Sequence, residues 1–327
     1  MMKKQWQVFW IGIMLAVGFT GLIGVLGSRL YDVVLLPDQG ASWYYWKLPE
    51  RQFWPMLTAW SFYTMHQVSV WILIWFSQFK ERAQRGVYRN WLYGINIFFI
   101  ILHIVQTHIW YDGLAQDVPV MSSQGSVIVM LVLILIMDID RRGLFFGKKI
   151  GGFQGAKHLV KKYHGYFIAW ALIYTFWYHP TVFTPGHLVG FFYMFLLFLQ
   201  MSMIYTPIHM NKYWRLILEV TVMFHGALVA VYQQNNMWPM FFFGFGFIFV
   251  VTQVYGLSLP KWGIRSFQIL YILGVIWIYG GFTGIKTIDQ VHQITWIGII
   301  EYGLVFVFMF VLEGGWRLKQ GNKTVKS

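Results

Sequence analysis

Residues 8–27 read VFWIGIMLAVGFTGLIGVLG and contain no charged side chain. About 20 apolar residues is the length that crosses the hydrocarbon core of a bilayer as an α-helix. The preceding Met-Met-Lys-Lys flank resembles that of a signal sequence. The apolar run is long for such a segment, however, and no A-x-A-like cleavage site follows. We therefore predict a retained first membrane span.

Apolar runs of similar length recur along the whole chain. Lipid offers no hydrogen-bond partner to backbone N–H and C=O groups, so each spanning run must be helical. The predicted fold is all-α: a polytopic membrane bundle of about ten transmembrane helices in a single membrane domain, residues 1–327. The predicted spans are 8–28, 57–77, 90–110, 122–138, 164–182, 187–206, 214–233, 237–257, 266–284 and 293–312.

The composition supports a membrane protein and excludes several other classes. Hydrophobic residues make up 57% of the chain and charged residues 11%, against about 25% charged residues in a soluble domain. The net charge of +13 lies in short basic runs between apolar segments, a pattern that argues against nucleic-acid binding. The absence of cysteine excludes disulfides, thiolate metal sites and cysteine nucleophiles.

The distribution of basic residues predicts the orientation. With the N-terminus inside, 21 of the 25 lysines and arginines fall in inner segments, as the positive-inside rule requires. Both termini are therefore predicted to be cytoplasmic, in a bacterial cytoplasmic membrane. Segment 31–56 is predicted to be an outer interfacial loop. Segment 139–163 is predicted to be a basic cytoplasmic loop, either simply solvated or bound to anionic lipid headgroups.

Histidine is the residue type that points most clearly to chemistry. Seven of the ten histidines fall toward the outer leaflet in the predicted topology. Polar side chains inside a membrane are costly and are functional candidates by default, and imidazole is a common ligand of iron, copper and zinc. The candidate metal ligands are His66, His103, His179 and His225. We expect His66, His103 and His225 to converge in the folded bundle.

The segment from Tyr163-His164-Gly165-Tyr166 to Tyr178-His179 is similar to the paired-histidine helices of ferric-reductase-like and cytochrome b membrane proteins. The resemblance covers about one span in ten. It implies haem b, with His164, His179 and His225 as cofactor-binding residues. At 100° per residue, His164 and His179 lie about 60° apart around one helix, whereas His209 and His225 lie about 160° apart. This second pair departs from the family pattern, and another histidine-bound metal ion is the alternative cofactor.

Two carboxylates fall within predicted spans. Glu219 lies one turn beyond Arg215, so the two are expected to form a structural pair along one helix face. Glu301 has no basic residue within one turn. It is therefore the candidate catalytic or proton-carrying residue, with a partner expected from another span.

Three functions fit these observations. The first is a membrane oxidoreductase or electron carrier with a histidine-bound haem or metal toward the outer leaflet. It would exchange electrons or protons with a lipid-soluble quinone or an outer substrate. The second is a secondary transporter of five plus five helices. The third is an assembly subunit that binds another membrane protein. HExxH, G-x-S-x-G, P-loop and GxGxxG motifs are absent from the sequence.

Overall fold

The computed structural model describes residues 2–37, 39, 43–44, 46–80, 85–234 and 236–324. Within these residues the chain forms ten α-helices and no β-strand, so the all-α prediction is confirmed. The helices are α1 (Met2–Leu26), α2 (Phe53–Gln78), α3 (Arg85–Trp110), α4 (Val120–Arg142), α5 (Gln154–Tyr178), α6 (Pro185–Ser202), α7 (Lys212–Tyr232), α8 (Trp238–Val251), α9 (Lys261–Tyr279) and α10 (Ile294–Thr324).

Seven helices of the described chain are long and apolar enough to cross a membrane, which gives the protein a multi-pass membrane architecture. They are α1, α3, α4, α6, α7, α9 and α10. Helix α2 is long enough, but His66, Gln67 and several Trp and Tyr side chains lower its hydropathy. Helix α5 has three lysines among its first nine residues, which lower its hydropathy. Helix α8 has only 14 residues and is shorter than a typical span.

Most of the predicted loop 139–163 is helical, so the expected end of the fourth span and the expected start of the fifth are corrected. Helix α4 continues to Arg142 and α5 begins at Gln154, so the irregular connection is only 143–153. Both helices continue through charged residues because those residues pair with one another. Lys157 Nζ and Lys161 Nζ each lie 2.7 Å from a carboxylate oxygen of Asp140. The outer segment 31–56 is likewise shorter than expected, since α2 begins at Phe53.

The chain divides into two compact units, each built from two separate stretches. Unit 1 comprises Met1–Val127 and Gly165–Trp214, and unit 2 comprises Ile128–His164 and Arg215–Ser327. The units therefore do not correspond to the first five and last five helices in sequence. A single membrane domain over residues 1–327 stays a prediction.

Unit 1 is held together by close helix packing. Helix α1 packs on α6, α2 packs on α3, and α3 packs on α6. A Cβ atom on Gly12 of α1 would lie 2.5 Å from the Leu199 side chain, and one on Gly27, in the 3₁₀ turn Gly27–Leu30 that follows α1, would clash with the Phe183 ring. Glycine at these two positions allows the backbone to approach its neighbours this closely.

Unit 2 places α8 between α9 and α10. Its apolar core includes the buried side chains of Phe243, Tyr279 and Ile294. At the other end of α10, a Cβ atom on Gly155 would lie 2.2 Å from the Trp316 ring. The start of α5 therefore packs directly against α10.

Candidate functional site

His66 is fully buried in α2, at 0% exposure, and both of its ring nitrogens have hydrogen-bond partners. The indole N–H of Trp177 donates to Nδ1 over 3.2 Å, and Nε2 lies 3.0 Å from Asn96 Oδ1. Because an indole N–H is always a donor, Nδ1 must be the acceptor. The ring proton is therefore on Nε2, from which it is donated to Asn96.

The hydrogen bonds continue beyond Asn96 in one direction. Its side-chain amide donates to Ser202 Oγ over 2.9 Å, and the serine hydroxyl donates to the Phe198 carbonyl oxygen over 2.8 Å. This His66 relay links α5, α2, α3 and α6 within unit 1. With both nitrogens engaged, His66 has no lone pair for a metal, so the residue does not fit the ligand role expected from sequence.

His103 on α3 is also at 0% exposure and packs against aromatic rings. Its ring stacks on Trp177 at 4.3 Å between centroids and meets the edge of Phe176 at 4.6 Å. Neither ring nitrogen has a partner with hydrogen-bond geometry among the described residues, although the backbone of His179 is near enough to interact. His66 and His103 thus meet at Trp177, whereas His225 belongs to unit 2.

Two other histidines expected to bind a cofactor, His179 and His164, have hydrogen-bond contacts with the protein, whereas Nδ1 of His225 in unit 2 is buried and has no partner in the described residues. Nδ1 of His179 lies 3.2 Å from the Tyr44 hydroxyl, and its ring lies 5.0 Å from that of His187. His164 Nδ1 lies 2.8 Å from the Lys161 carbonyl oxygen, to which it donates. No three histidine or carboxylate side chains in the described residues are arranged to hold a metal ion. The described residues therefore give no support to the predicted metal site, which stays a prediction.

The His66 relay predicts a measurable contribution to stability. Asn96→Leu removes the acceptor of the His66 Nε2–H and one donor to Ser202, with an expected loss of about 1–3 kcal/mol in the free energy of unfolding. Asn90→Leu is the matched control, because Asn90 is exposed on the same helix and should change stability by less than about 0.5 kcal/mol. Denaturation in detergent measures both. Equal effects of the two substitutions would show that the relay does not stabilise the bundle.

In unit 2, a cluster of five charged side chains joins the end of α4 to the start of α7. Arg142 Nη1 lies 2.5 Å from Glu219 Oε2, and Arg215 Nη1 lies 3.2 Å from Asp138 Oδ1. Arg141 Nη2 lies 2.8 Å from the other Asp138 oxygen. The predicted pair of Glu219 with Arg215 is therefore wrong. Each carboxylate is instead paired with an arginine of the other helix.

Arg142 carries the least satisfied polar group of this charge cluster. Its side chain is only 1% exposed, and neither Nε nor Nη2 has an acceptor among the described residues. These two N–H groups point the same way and form one edge of the guanidinium fork. Such an edge matches the two oxygens of a carboxylate or phosphate.

The surroundings of Arg142 are polar and well ordered. Thr252 donates its hydroxyl proton to the Leu144 carbonyl oxygen. The Tyr302 hydroxyl, 2.7 Å from Thr252 Oγ1, is therefore the donor in that contact. Arg142 lies near enough to Tyr302 to interact electrostatically. The neighbouring Glu301, the predicted catalytic residue, is 2% exposed, and its Oε2 has no partner in the described chain.

Sequence reasoning missed the pairing within this charge cluster because it ended the fourth span at Asp138 and assigned Arg142 to the basic loop 139–163, whereas α4 continues to Arg142. A signal was present: Asp138 and Arg142 are four residues apart at the end of a long apolar run. That spacing places both side chains on one helix face. Opposite charges on the face of a mostly apolar helix indicate a buried pair.

No protein-family model, curated protein or solved structure matches this chain. The His66 relay is internally satisfied, and the described residues give no support to the predicted metal site. The charge cluster, in contrast, has a guanidinium edge with no acceptor.

Proposed function

We propose that the protein is a multi-pass membrane transporter for a small anion that bears a carboxylate or phosphate group. Arg142 is the substrate-binding residue. The observation that carries the proposal is the buried Nε–Nη2 edge of Arg142, which has no acceptor in the described residues. A bidentate anion would satisfy both N–H groups at once.

The charge balance of the cluster supports an anionic substrate. Three arginines, Arg141, Arg142 and Arg215, face two carboxylates, Asp138 and Glu219. This leaves one positive charge among the five side chains of the cluster. Charged side chains in membrane segments are costly and commonly mark substrate and ion pathways. One bound anion would neutralise the remaining charge.

The other two functions receive less support from the described residues. A purely structural charge network in an assembly subunit would gain from hydrogen bonding every buried N–H, because each unsatisfied group costs about 1–3 kcal/mol. Among the haem ligands implied by the sequence resemblance, Nδ1 of His164 and Nδ1 of His179 already have hydrogen-bond contacts with the protein, whereas Nδ1 of His225 has none in the described residues. A Soret band in the spectrum of the purified protein would instead favour the oxidoreductase function, with haem b as the cofactor and a quinone as the electron-transfer partner.

We further propose that all ten helices cross the membrane, with both termini in the cytoplasm of a bacterial cell. Helix α8 alone would be about 21 Å long, and the 3₁₀ turn Gln253–Leu257 extends it. The basic connection 143–153 lies on the cytoplasmic side in this topology. There its lysines attract anionic lipid headgroups.

This topology predicts the outcome of reporter fusions. Fusions after Asp112 and Gln234 should report the outer side, and fusions after Gly147 and at Ser327 should report the cytoplasm. The reason is that 21 of the 25 basic residues then lie inside. The same location for the Asp112 and Gly147 fusions would contradict the ten-helix topology.

Anion flux tests the proposed function directly. Vesicles that carry the wild-type protein should take up at least one of labelled acetate, succinate or phosphate faster than protein-free vesicles. Loss of the Arg142 guanidinium should abolish that uptake.

A further inference from the structure

A pocket of about 370 Å³ lies in unit 1. Its walls come from the segment 48–52, the first turn of α2, the end of α3 and the connection that follows α3. The volume is within the range of small-molecule sites, which is roughly 300–1,000 Å³. It is therefore large enough for an organic ligand rather than a bare ion.

The walls of this pocket are fixed by specific contacts. The Gln116 side chain accepts a hydrogen bond from the Leu48 backbone N–H over 3.1 Å and donates to the Trp46 carbonyl oxygen over 3.0 Å. Arg51 forms an ion pair with Asp117, which also accepts from the Trp60 indole over 2.5 Å. The loop that covers the pocket is thus held at two separate points.

The charges that line the pocket are mainly negative. Arg51 is matched by Asp117, whereas Asp112 and Glu50 have no ion-pair partner among the described residues. Asp112 is only 2% exposed, and its Oδ1 accepts a hydrogen bond from the Gly113 N–H over 2.7 Å. The charge of Arg51 acts on Asp112, but Arg51 is itself paired with Asp117. A buried carboxylate is costly unless it is paired, so a positively charged ligand would stabilise Asp112 further.

The apolar side of the pocket suits an organic cation. Trp110 and Pro55 line it beside Asp112. An aromatic face attracts a cation within about 6 Å through its quadrupole. A carboxylate, an indole and an apolar wall together match the charged head and the carbon chain of an alkylammonium ion.

We propose that this pocket binds a small primary alkylammonium ion, with Asp112 as its counter-ion and Trp110 as its aromatic wall. The site is independent of the anion site at Arg142. The ammonium N–H groups would donate to the Asp112 carboxylate, and Glu50 would add attraction at the mouth of the pocket. The alkyl chain would lie against Trp110 and Pro55.

The ionisation of Asp112 gives the site a defined pH dependence. Burial raises the pKa of Asp112 to about 6, opposed by the Gly113 N–H and by the charge of Arg51; the Tyr44 hydroxyl also lies near. Above this pKa the side chain is a carboxylate that attracts a cation, and below it the side chain is neutral. Affinity for an alkylammonium ion should therefore fall as the pH is lowered from about 8 to about 5.

Calorimetric titration of the full chain in detergent tests this site with n-butylammonium chloride, with 1-butanol and sodium chloride as separate ligands. Wild type should bind butylammonium in preference to both. Asp112→Asn should weaken binding about tenfold or more, and Trp110→Leu about threefold or more. Asp289→Asn, which removes an exposed carboxylate elsewhere, is the matched control and should change nothing.

Several outcomes would overturn the inference. These are no binding of butylammonium by wild type, equal binding of butanol, unchanged affinity in both pocket variants, or affinity that does not fall at low pH. The pH titration needs only the wild-type chain, so it decides the matter even if Asp112→Asn does not fold. Replacement of Arg142 should leave butylammonium binding unchanged, which keeps this test separate from that of the proposed anion transport.

Discussion

Arg142→Gln is expected to lower the free energy of unfolding by about 3–5 kcal/mol, because it leaves the buried Glu219 carboxylate without its cation. Both side chains are almost fully enclosed, at 1% and 7% exposure. Water therefore cannot replace the lost guanidinium. Denaturant or thermal unfolding in detergent measures the change.

The double variant shows whether the loss of stability comes from the unpaired charge or from the changed shape of the side chains. Arg142→Gln with Glu219→Gln replaces a buried ion pair by two neutral amides that can hydrogen-bond to each other. We expect it to recover most of the loss and to lie within about 1–2 kcal/mol of wild type.

An exposed arginine supplies the control. Arg317, whose side chain is 74% exposed, pairs with Glu313 on the same helix at 3.1 Å. Arg317→Gln should change stability by about 0.5 kcal/mol or less, because water screens such a pair. If Arg142→Gln is no more destabilising than this control, the Arg142–Glu219 pair does not have the buried role assigned to it.

Much of the fold could be predicted because the bilayer imposes a simple rule. Apolar runs must be helices, and their length marks the spans. The helix ends were harder to predict. The sequence around Asp138, Asp140 and Arg142 looks like a solvated loop until the partners are known: Lys157 and Lys161 for Asp140, and Glu219 for Arg142. Helices continue through charged residues when another helix supplies the opposite charge.

The candidate site was less predictable than the fold. Depth in the membrane identified His66 and His103 as unusual, and both are fully buried. Depth alone could not show that Trp177 and Asn96 engage both nitrogens of His66. Those partners lie on other helices, and no spacing rule in the sequence connects them. Arg142 could not be predicted for the same reason. Only the folded structure shows that its Nε and Nη2 groups have no acceptor among the described residues.

Counterflow into vesicles tests the central claim, that Arg142 binds the anion that the protein transports. Vesicles are loaded with unlabelled acetate, succinate or phosphate, and the matching labelled anion is added outside. Wild-type protein should accumulate at least one label above the level of protein-free vesicles. The variant with Arg142→Gln and Glu219→Gln should fall to that protein-free level, because it keeps a neutral pair but has no guanidinium edge for the anion.

The matched control removes a different pair from unit 2. Arg317→Gln with Glu313→Gln neutralises the pair on α10, in which Arg317 is 74% exposed. The amide oxygen introduced by Glu313→Gln can still accept the hydrogen bond from the Ala156 N–H, so this variant should retain the wild-type rate. Accumulation of none of the three anions by wild type would contradict the account. So would equal accumulation by wild type and the Arg142–Glu219 double variant, since transport would then proceed without the residue proposed to bind its substrate.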